Sequence, residues 1–242
     1  MPEALFARVA ACAPWPRGVR AVPEQVRGPG FFPAASGLYA TPGAPLPPFP
    51  FGGVMVLGHN VDNVTGYAAT RERGGEDLDG PTWRNLVALL RRAGISPESC
   101  FFTNFFMGLM ESESAVGAFP GRADAAFVER CRRFFLEQVA FQEPRAVLVL
   151  GREVPPLLAP LSPDLAPWRA ARTLGDVDAA GAALLTTRFA GRESPVPFAV
   201  LTHPSLRAAN VRRRCFEDAE GDAAEMRLLA RCVGLTPSST SP

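Results

Sequence analysis

A chain of 242 residues, 47% hydrophobic and 20% charged, has room for one sizeable core and the composition of an ordinary globular protein. Its formal net charge of +1 supplies no overall pull toward polyanions, so any nucleic-acid contact must come from local patches. No apolar run approaches the roughly 18 residues that a membrane helix needs, and all 25 basic residues are arginine, which excludes chemistry through a lysine amine.

Residues 1–50 are rich in proline and glycine, ending in Pro42-Gly43-Ala44-Pro45-Leu46-Pro47-Pro48-Phe49-Pro50. They read as an ordered arm without regular helix, packed on the domain that follows. Met1 to Arg20 is broken by Pro14 and Pro16 and lacks a signal-peptide core, so a cytoplasmic location is the expectation. A strand at 53–57 is followed by a long polar loop and a helix near 82–93, with Leu86, Leu89 and Leu90 on one face. Next come a strand at 100–106 and a helix near 124–141 that turns Phe127, Cys131, Phe134, Phe135 and Val139 inward. A strand at 145–150 ends at Gly151, and a short helix follows from Glu153. Residues 160–196 read as irregular, with 182–189 offering an extra edge strand. The last core strand is 197–202, a terminal helix covers 217–233, and 236–242 read as a disordered tail.

Continuous apolar strands alternating with helices imply a mainly parallel sheet covered on both faces. The expectation is a three-layer α/β/α sandwich with a central four-stranded sheet, occupying 51–235. The five cysteines, Cys12, Cys100, Cys131, Cys215 and Cys232, form no C-x-x-C pair. They read as buried reduced thiols, not ligands of zinc or an iron–sulfur cluster. The acidic stretches Glu111–Ser114 and Glu76–Asp79 have no metal-ligand spacing, and no glycine-rich phosphate loop opens a helix. Neither metal nor cofactor is expected.

Only two histidines are present, and each directly follows a buried-strand run. Val54–Leu57 leads into Gly58-His59-Asn60-Val61-Asp62-Asn63, and Phe198–Leu201 leads into Thr202-His203-Pro204-Ser205. Open α/β sheets bind ligands in the crevice outside the carboxyl ends of their strands, so both loops are candidate site loops. Taken singly, each residue has a plainer reading. Asn60 can close an Asx-turn, and Asn104 can be a buried turn residue bonded to backbone.

In order along residues 50–215, these segments resemble the uracil-DNA glycosylase superfamily. Gly58-His59-Asn60 is similar to its first motif, Gly-x-Asp/Asn-Pro. Asn104 in Phe101-Phe102-Thr103-Asn104 matches its base-reading Asn, and His203-Pro204-Ser205 matches its final motif. Pro144–Gly151 is similar to the strand between the last two. The resemblance implies a DNA glycosylase that flips out a base and hydrolyses its N-glycosidic bond as a monomer, without metal. Asn60 would hold the attacking water, and His203 would stabilise the charge developing on base O2. Asn104 would read the base edge, which its donor and acceptor suit, while Gly58, the backbone near His59, and Ser205 would line the pocket.

Four positions depart from the pattern. Val61 replaces the motif's Pro, and Asp62 adds a carboxylate that is either the water activator or a loop cap. Glu72 and Arg73 stand where the stacking aromatic belongs, which leaves Tyr67 or Phe51 to substitute. Leu206 replaces a second Pro. Because these departures cluster around the base pocket, the expected target is a modified or damaged pyrimidine, such as a bulky modified cytosine or a hydroxymethylated base, met in repair or in defence against phage DNA. After the final motif, Leu206 or Arg207 would wedge into the duplex and Arg212, Arg213 and Arg214 would contact phosphates. The plainer reading is that these arginines cap a solvated helix start. The rivals are a non-catalytic sensor of modified bases with the same fold and an unrelated α/β transferase that binds a nucleotide.

Overall fold

The computed structural model describes residues 2–112, 118–192 and 194–234; the tail 236–242, with Glu113 and Ser114, lies outside them. In chain order the first elements are α1 Pro2–Ala7, β1 Val19–Ala21, β2 Val54–Asn60, α2 Val64–Arg73, α3 Pro81–Arg92, β3 Cys100–Phe106 and β4 Gly108–Met110. Then follow α4 Ala125–Gln142, β5 Ala146–Leu150, α5 Pro155–Leu158, α6 Leu174–Ala179, β6 Leu184–Thr187 and β7 Val196–Leu201. The chain closes with α7 Arg207–Asn210, β8 Cys215–Phe216, β9 Ala219–Glu220 and α8 Gly221–Val233.

The architecture is a three-layer α/β/α sandwich. Its central sheet runs β3-β2-β5-β7-β6, so it has five strands where four were expected. The addition is the edge strand foreshadowed at 182–189: β6 pairs antiparallel with β7, Leu185 opposite Phe198. The pairs β2–β3 and β5–β7 are parallel. Among the described residues no helix is long and apolar enough to cross a membrane. By contact the chain divides into two compact units, Met1–Gly80 with Pro97–Pro144, and Pro81–Ser96 with Arg145–Pro242.

In the first unit β2 and β3 are apolar because both of their faces are covered. Every residue of β3 is buried, as are Val54–Leu57 of β2. Helix α4 starts where Asp124 accepts the Phe127 N–H at 2.9 Å, and it buries the five residues its spacing had marked. The arm lies along edge strand β3: Phe32 N–H donates to Phe102 O and Phe102 N–H donates to Gly37 O. Those bonds satisfy part of an edge that would otherwise be open to pairing with another chain. The arm is not wholly irregular, since α1 occupies its start. Pro2 opens that helix at the position where a missing N–H costs nothing. The polar loop expected after β2 holds a helix, α2, bounded by Asn63 accepting the Gly66 N–H at 2.8 Å and by Gly74 in the left-handed region.

In the second unit β5 and β7 are again apolar and buried, Pro197 alone being partly exposed. Helix α3 buries Trp83, Leu86, Val87, Leu89 and Leu90. The stretch 160–196 is more regular than its composition suggests. A 3₁₀ run at Pro163–Ala170 carries Trp168, whose indole donates to Ala182 O at 2.7 Å. Helix α6 is closed by a Thr173–Asp176 capping box. Helix α8 starts at 221, not 217, because a small β8–β9 hairpin takes up 215–220, with Glu217 at φ +53°.

Candidate functional site

Strand β2 does not stop at Leu57; it runs through the first motif. Parallel pairing with β3 continues, placing Gly58 opposite Asn104 and Asn60 opposite Phe106. The first-motif residues and Asn104, the expected base reader, therefore sit side by side near the carboxyl ends of neighbouring strands. Gly58 is glycine because a Cβ there would lie 2.4 Å from Asn104 Oδ1 and 3.6 Å from a ring carbon of Phe31. Asn104 is buried, and its Nδ2 donates to Phe32 O at 3.2 Å. Since that partner only accepts, the amide is fixed with Oδ1 over Gly58.

The next two side chains hold one another. His59 Nδ1–H donates to Asn60 Oδ1 at 2.8 Å, and Asn60 Nδ2 donates to Val61 O at 2.6 Å. The imidazole stands edge-on to Phe106 and Phe119, at 5.2 and 6.2 Å between ring centres. Asn60 thus arrives with its orientation set, and one lone pair of Oδ1 remains for a further donor. Asp62 is exposed, and its Oδ1 accepts the Asn63 N–H at 2.7 Å. Its other oxygen lies over Gly66, where a Cβ would meet it at 2.0 Å. A carboxylate just ahead of the opening turn of α2, whose N-cap is Asn63, complements the helix dipole.

Two candidate stacking residues are corrected. Tyr67 is buried among Val22, Val26, Ala34, Ala35, Val61 and Leu109, and its hydroxyl donates to Glu24 O at 2.9 Å. Burial pushes the Tyr67 hydroxyl above its ordinary pKa, against the lowering effect of that backbone bond. Phe51 is 51% exposed but precedes β2 at the end opposite Gly58, whose distance from Val54 at the start of the strand is about 13 Å at strand rise. Its ring packs on Phe49 and Phe141. The aromatic beside Gly58 is instead Phe31, from the arm. Its N–H donates to Glu76 Oε1 at 2.9 Å, and its ring meets Phe102 edge-on at 5.6 Å. The only sequence signal for it was the Gly30-Phe31-Phe32-Pro33 run.

In the second unit, β7 hands over to Thr202 and His203. Gly151 faces this turn: it adopts φ +78°, and a Cβ there would be 3.3 Å from His203 Cβ. His203 Nδ1 lies 2.9 Å from Ser205 Oγ, and burial pushes its pKa below the ordinary value of 6.5. Asn85 of α3 donates to Pro204 O at 2.9 Å, and Thr202 N–H donates to Glu225 Oε1 of α8 at 2.5 Å. The turn is therefore held from two helices.

The following arginines divide into two kinds. Arg212 and Arg213 are exposed, and Leu206 is 57% exposed. Arg214, only 2% exposed, is withdrawn from any phosphate-binding role. Its guanidinium makes a two-pronged pair with Asp178, both bonds 2.9 Å, and also reaches Glu225 Oε1 at 3.1 Å and Val200 O at 2.8 Å. Arg207 is also engaged, with Asp222 at 2.5 Å and Glu225 at 3.1 Å, so Leu206 is the better placed of the two expected wedge residues. Bonds from Arg92, and then from Arg207, hold the Asp222 carboxyl below its usual range despite partial burial. The network fixes the chain on both sides of the 206–213 stretch.

No protein-family model matches the chain, and no curated protein matches its sequence.

Proposed function

We propose that the protein is a monofunctional DNA glycosylase, working as a monomer in the cytoplasm, that extrudes a modified or damaged pyrimidine and hydrolyses its N-glycosidic bond. The observation that carries this reading is the register of β2 on β3. It sets Gly58 beside an Asn104 whose amide is already oriented, as reading a base edge requires. Cleavage puts positive charge on the sugar and negative charge on the base. A neutral His203 that accepts the Ser205 hydroxyl proton at Nδ1 keeps its own proton on Nε2, available to base O2 as charge builds there. Asn60, held by His59, orients the water that adds to the sugar carbon. An amide is too weak a base to take its proton early, so the DNA phosphates help to stabilise the sugar cation. Leu206 fills the vacated stack, while Arg212 and Arg213 meet phosphates. With no lysine in the chain, no lysine Schiff base forms, and the product is an intact abasic site.

The test is incubation with duplexes carrying uracil, 5-hydroxymethyluracil or modified cytosines, followed by alkali to reveal abasic sites. Wild type is expected to release a modified base in preference to plain uracil. Asn60→Ala and His203→Ala are expected to lose that release about 100-fold or more while still binding DNA. Efficient release of uracil alone would overturn the substrate assignment. Asn60, with both ends of its amide engaged, also suits a sensor that captures the base without hydrolysis. Tight base-specific binding with no release from any duplex would favour that second reading.

A further inference from the structure

We infer that Glu225 is a positioning residue: its buried carboxylate ties both stems of the 203–206 turn to α8, and so fixes His203 and Leu206 as one rigid unit. This rests on the glycosylase reading for what the turn acts on.

Glu225 is out of place by the pattern of its own helix. It falls among Ala224, Leu228, Leu229 and Cys232 on the covered face of α8, and none of its surface reaches solvent. A fully buried carboxylate is tolerated only where partners replace its water. Here Oε1 accepts the Thr202 N–H at 2.5 Å and Arg214 Nη1 at 3.1 Å, while Oε2 lies 3.1 Å from Arg207 Nε. That last contact is held by charge and not by direction, since neither atom makes an aligned hydrogen bond. Thr202 stands just before His203, and Arg207 just after Leu206. One carboxylate therefore grips the chain where it enters the turn and where it leaves. Within the turn Leu206 N–H donates to His203 O at 2.9 Å. The Thr202 hydroxyl is buried without a hydrogen bond, so the polar hold on Thr202 falls to Glu225.

Stability alone does not call for an acid at this position. Replacing a buried ion pair by apolar side chains of similar volume is often neutral or stabilising. What an apolar residue cannot supply is an acceptor aimed at one particular backbone N–H. A displacement of about 1 Å at a reacting centre is enough to be felt as rate, and Thr202 is bonded directly to His203. The charges around Glu225 balance, with Arg92, Arg207 and Arg214 set against Asp178, Asp222 and Glu225. Charge can therefore be removed in pairs without leaving an excess.

The experiment compares two double variants of the full chain. Glu225→Met with Arg207→Met removes one charge of each sign and the acceptor. Glu225→Gln with Arg207→Gln removes the same charges but keeps an Oε1 that can accept the Thr202 N–H. Thermal melting first establishes that each is folded. Single-turnover release is then timed at saturating duplex, using the modified base that wild type releases fastest. The Met pair is expected to be slower by about 100-fold, and the Gln pair to recover most of that loss. Imidazole 15N shifts of the free protein, which has two histidines, read the His203 tautomer without DNA. Wild type and the Gln pair should carry the proton on Nε2, and the Met pair should move toward the average of both tautomers. A role in stability alone would leave the shifts and the saturated rate of a folded variant where they were. Should the Met pair not melt cooperatively, Glu225→Asp takes its place with the same expected losses, because it keeps the charge but withdraws the carboxylate by one methylene. Wild-type shifts and rate in the folded Met pair or in Glu225→Asp, or a Gln pair as impaired as the Met pair, would overturn the proposal. Disturbed shifts in the Met pair, with no release by wild type from any duplex, keep the positioning role and sink the glycosylase. Release that is indifferent to Glu225 does the reverse.

Discussion

On the glycosylase proposal, partial burial suits His203 to the role assigned to it. The imidazole is half-buried on the loop after β7, and that burial lowers its pKa from 6.5. At neutral pH it is therefore uncharged, and under the proposed function it is an N–H donor able to strengthen its hydrogen bond as negative charge appears on a leaving base. The same shift has a consequence for stability. Between the depressed folded pKa and 6.5 the unfolded chain binds the proton more readily, so folding stability falls as pH drops through about 6.5 and levels off below the folded value. Urea midpoints for wild type and His203→Gln, measured from pH 8 to pH 5, should converge in slope above pH 7. Below 6.5 wild type should lose more stability than the variant. Parallel curves across the whole range would show that His203 is not the group responsible.

At the scale of elements, the ion pairs behind the 206–213 stretch decide which arginines are structural. Arg214, Asp178 and Glu225 are all buried and satisfy one another across α6, α8 and the end of β7. Removing one partner from such a group leaves uncompensated charge and costs about 3–5 kcal/mol. Arg214→Ala is therefore expected to lose about that much stability by urea unfolding, whereas Arg212→Ala and Arg213→Ala should be near neutral. If the chain binds DNA as proposed, each substitution at the exposed pair should instead reduce the slope of log affinity against log salt by about 0.9 for every phosphate it leaves unneutralised. A stability loss in Arg212→Ala matching that of Arg214→Ala would overturn the division. In sequence the three arginines were one run, because three adjacent residues of one type carry no mark of which faces inward. The strands were legible for the opposite reason: Val54–Leu57 and Phe198–Leu201 are buried on both faces and read as unbroken apolar runs. Helix α2 was hidden because few of its residues are apolar, although Asn63 and Gly74 stood at its ends. The motifs showed where Gly58, Asn104 and His203 would fall. Phe31 could not be found that way, since its place beside Gly58 is set by the arm's backbone bonds to β3 and not by spacing from any motif.

At the scale of the whole molecule, the path of the chain makes its units interdependent. Residues 81–96 lie in sequence between β2 and β3, yet they belong to the unit otherwise formed by 145–242. Helix α3 donates through Asn85 to the carbonyl of Pro204 and pairs through Arg92 with Asp222. It also buries five large apolar side chains, each worth about 1.5–3 kcal/mol relative to exposure. Together that is roughly 8–15 kcal/mol, comparable to the entire stability of a typical domain. A fragment spanning 145–242 keeps β5, β6, β7 and α8 but lacks α3. It is therefore expected to show no cooperative melting transition and to protect few amides from hydrogen exchange. The turn at His203 would lose the hydrogen bond that Asn85 gives to Pro204 as well. Joining residues 81–96 to the fragment through a flexible linker should restore a sigmoidal transition, and Asn85→Ala in that chimera should leave the transition in place while loosening the His203 turn. Cooperative unfolding of the bare fragment, at a midpoint close to that of the full chain, would show that α3 is dispensable and that the second half folds on its own.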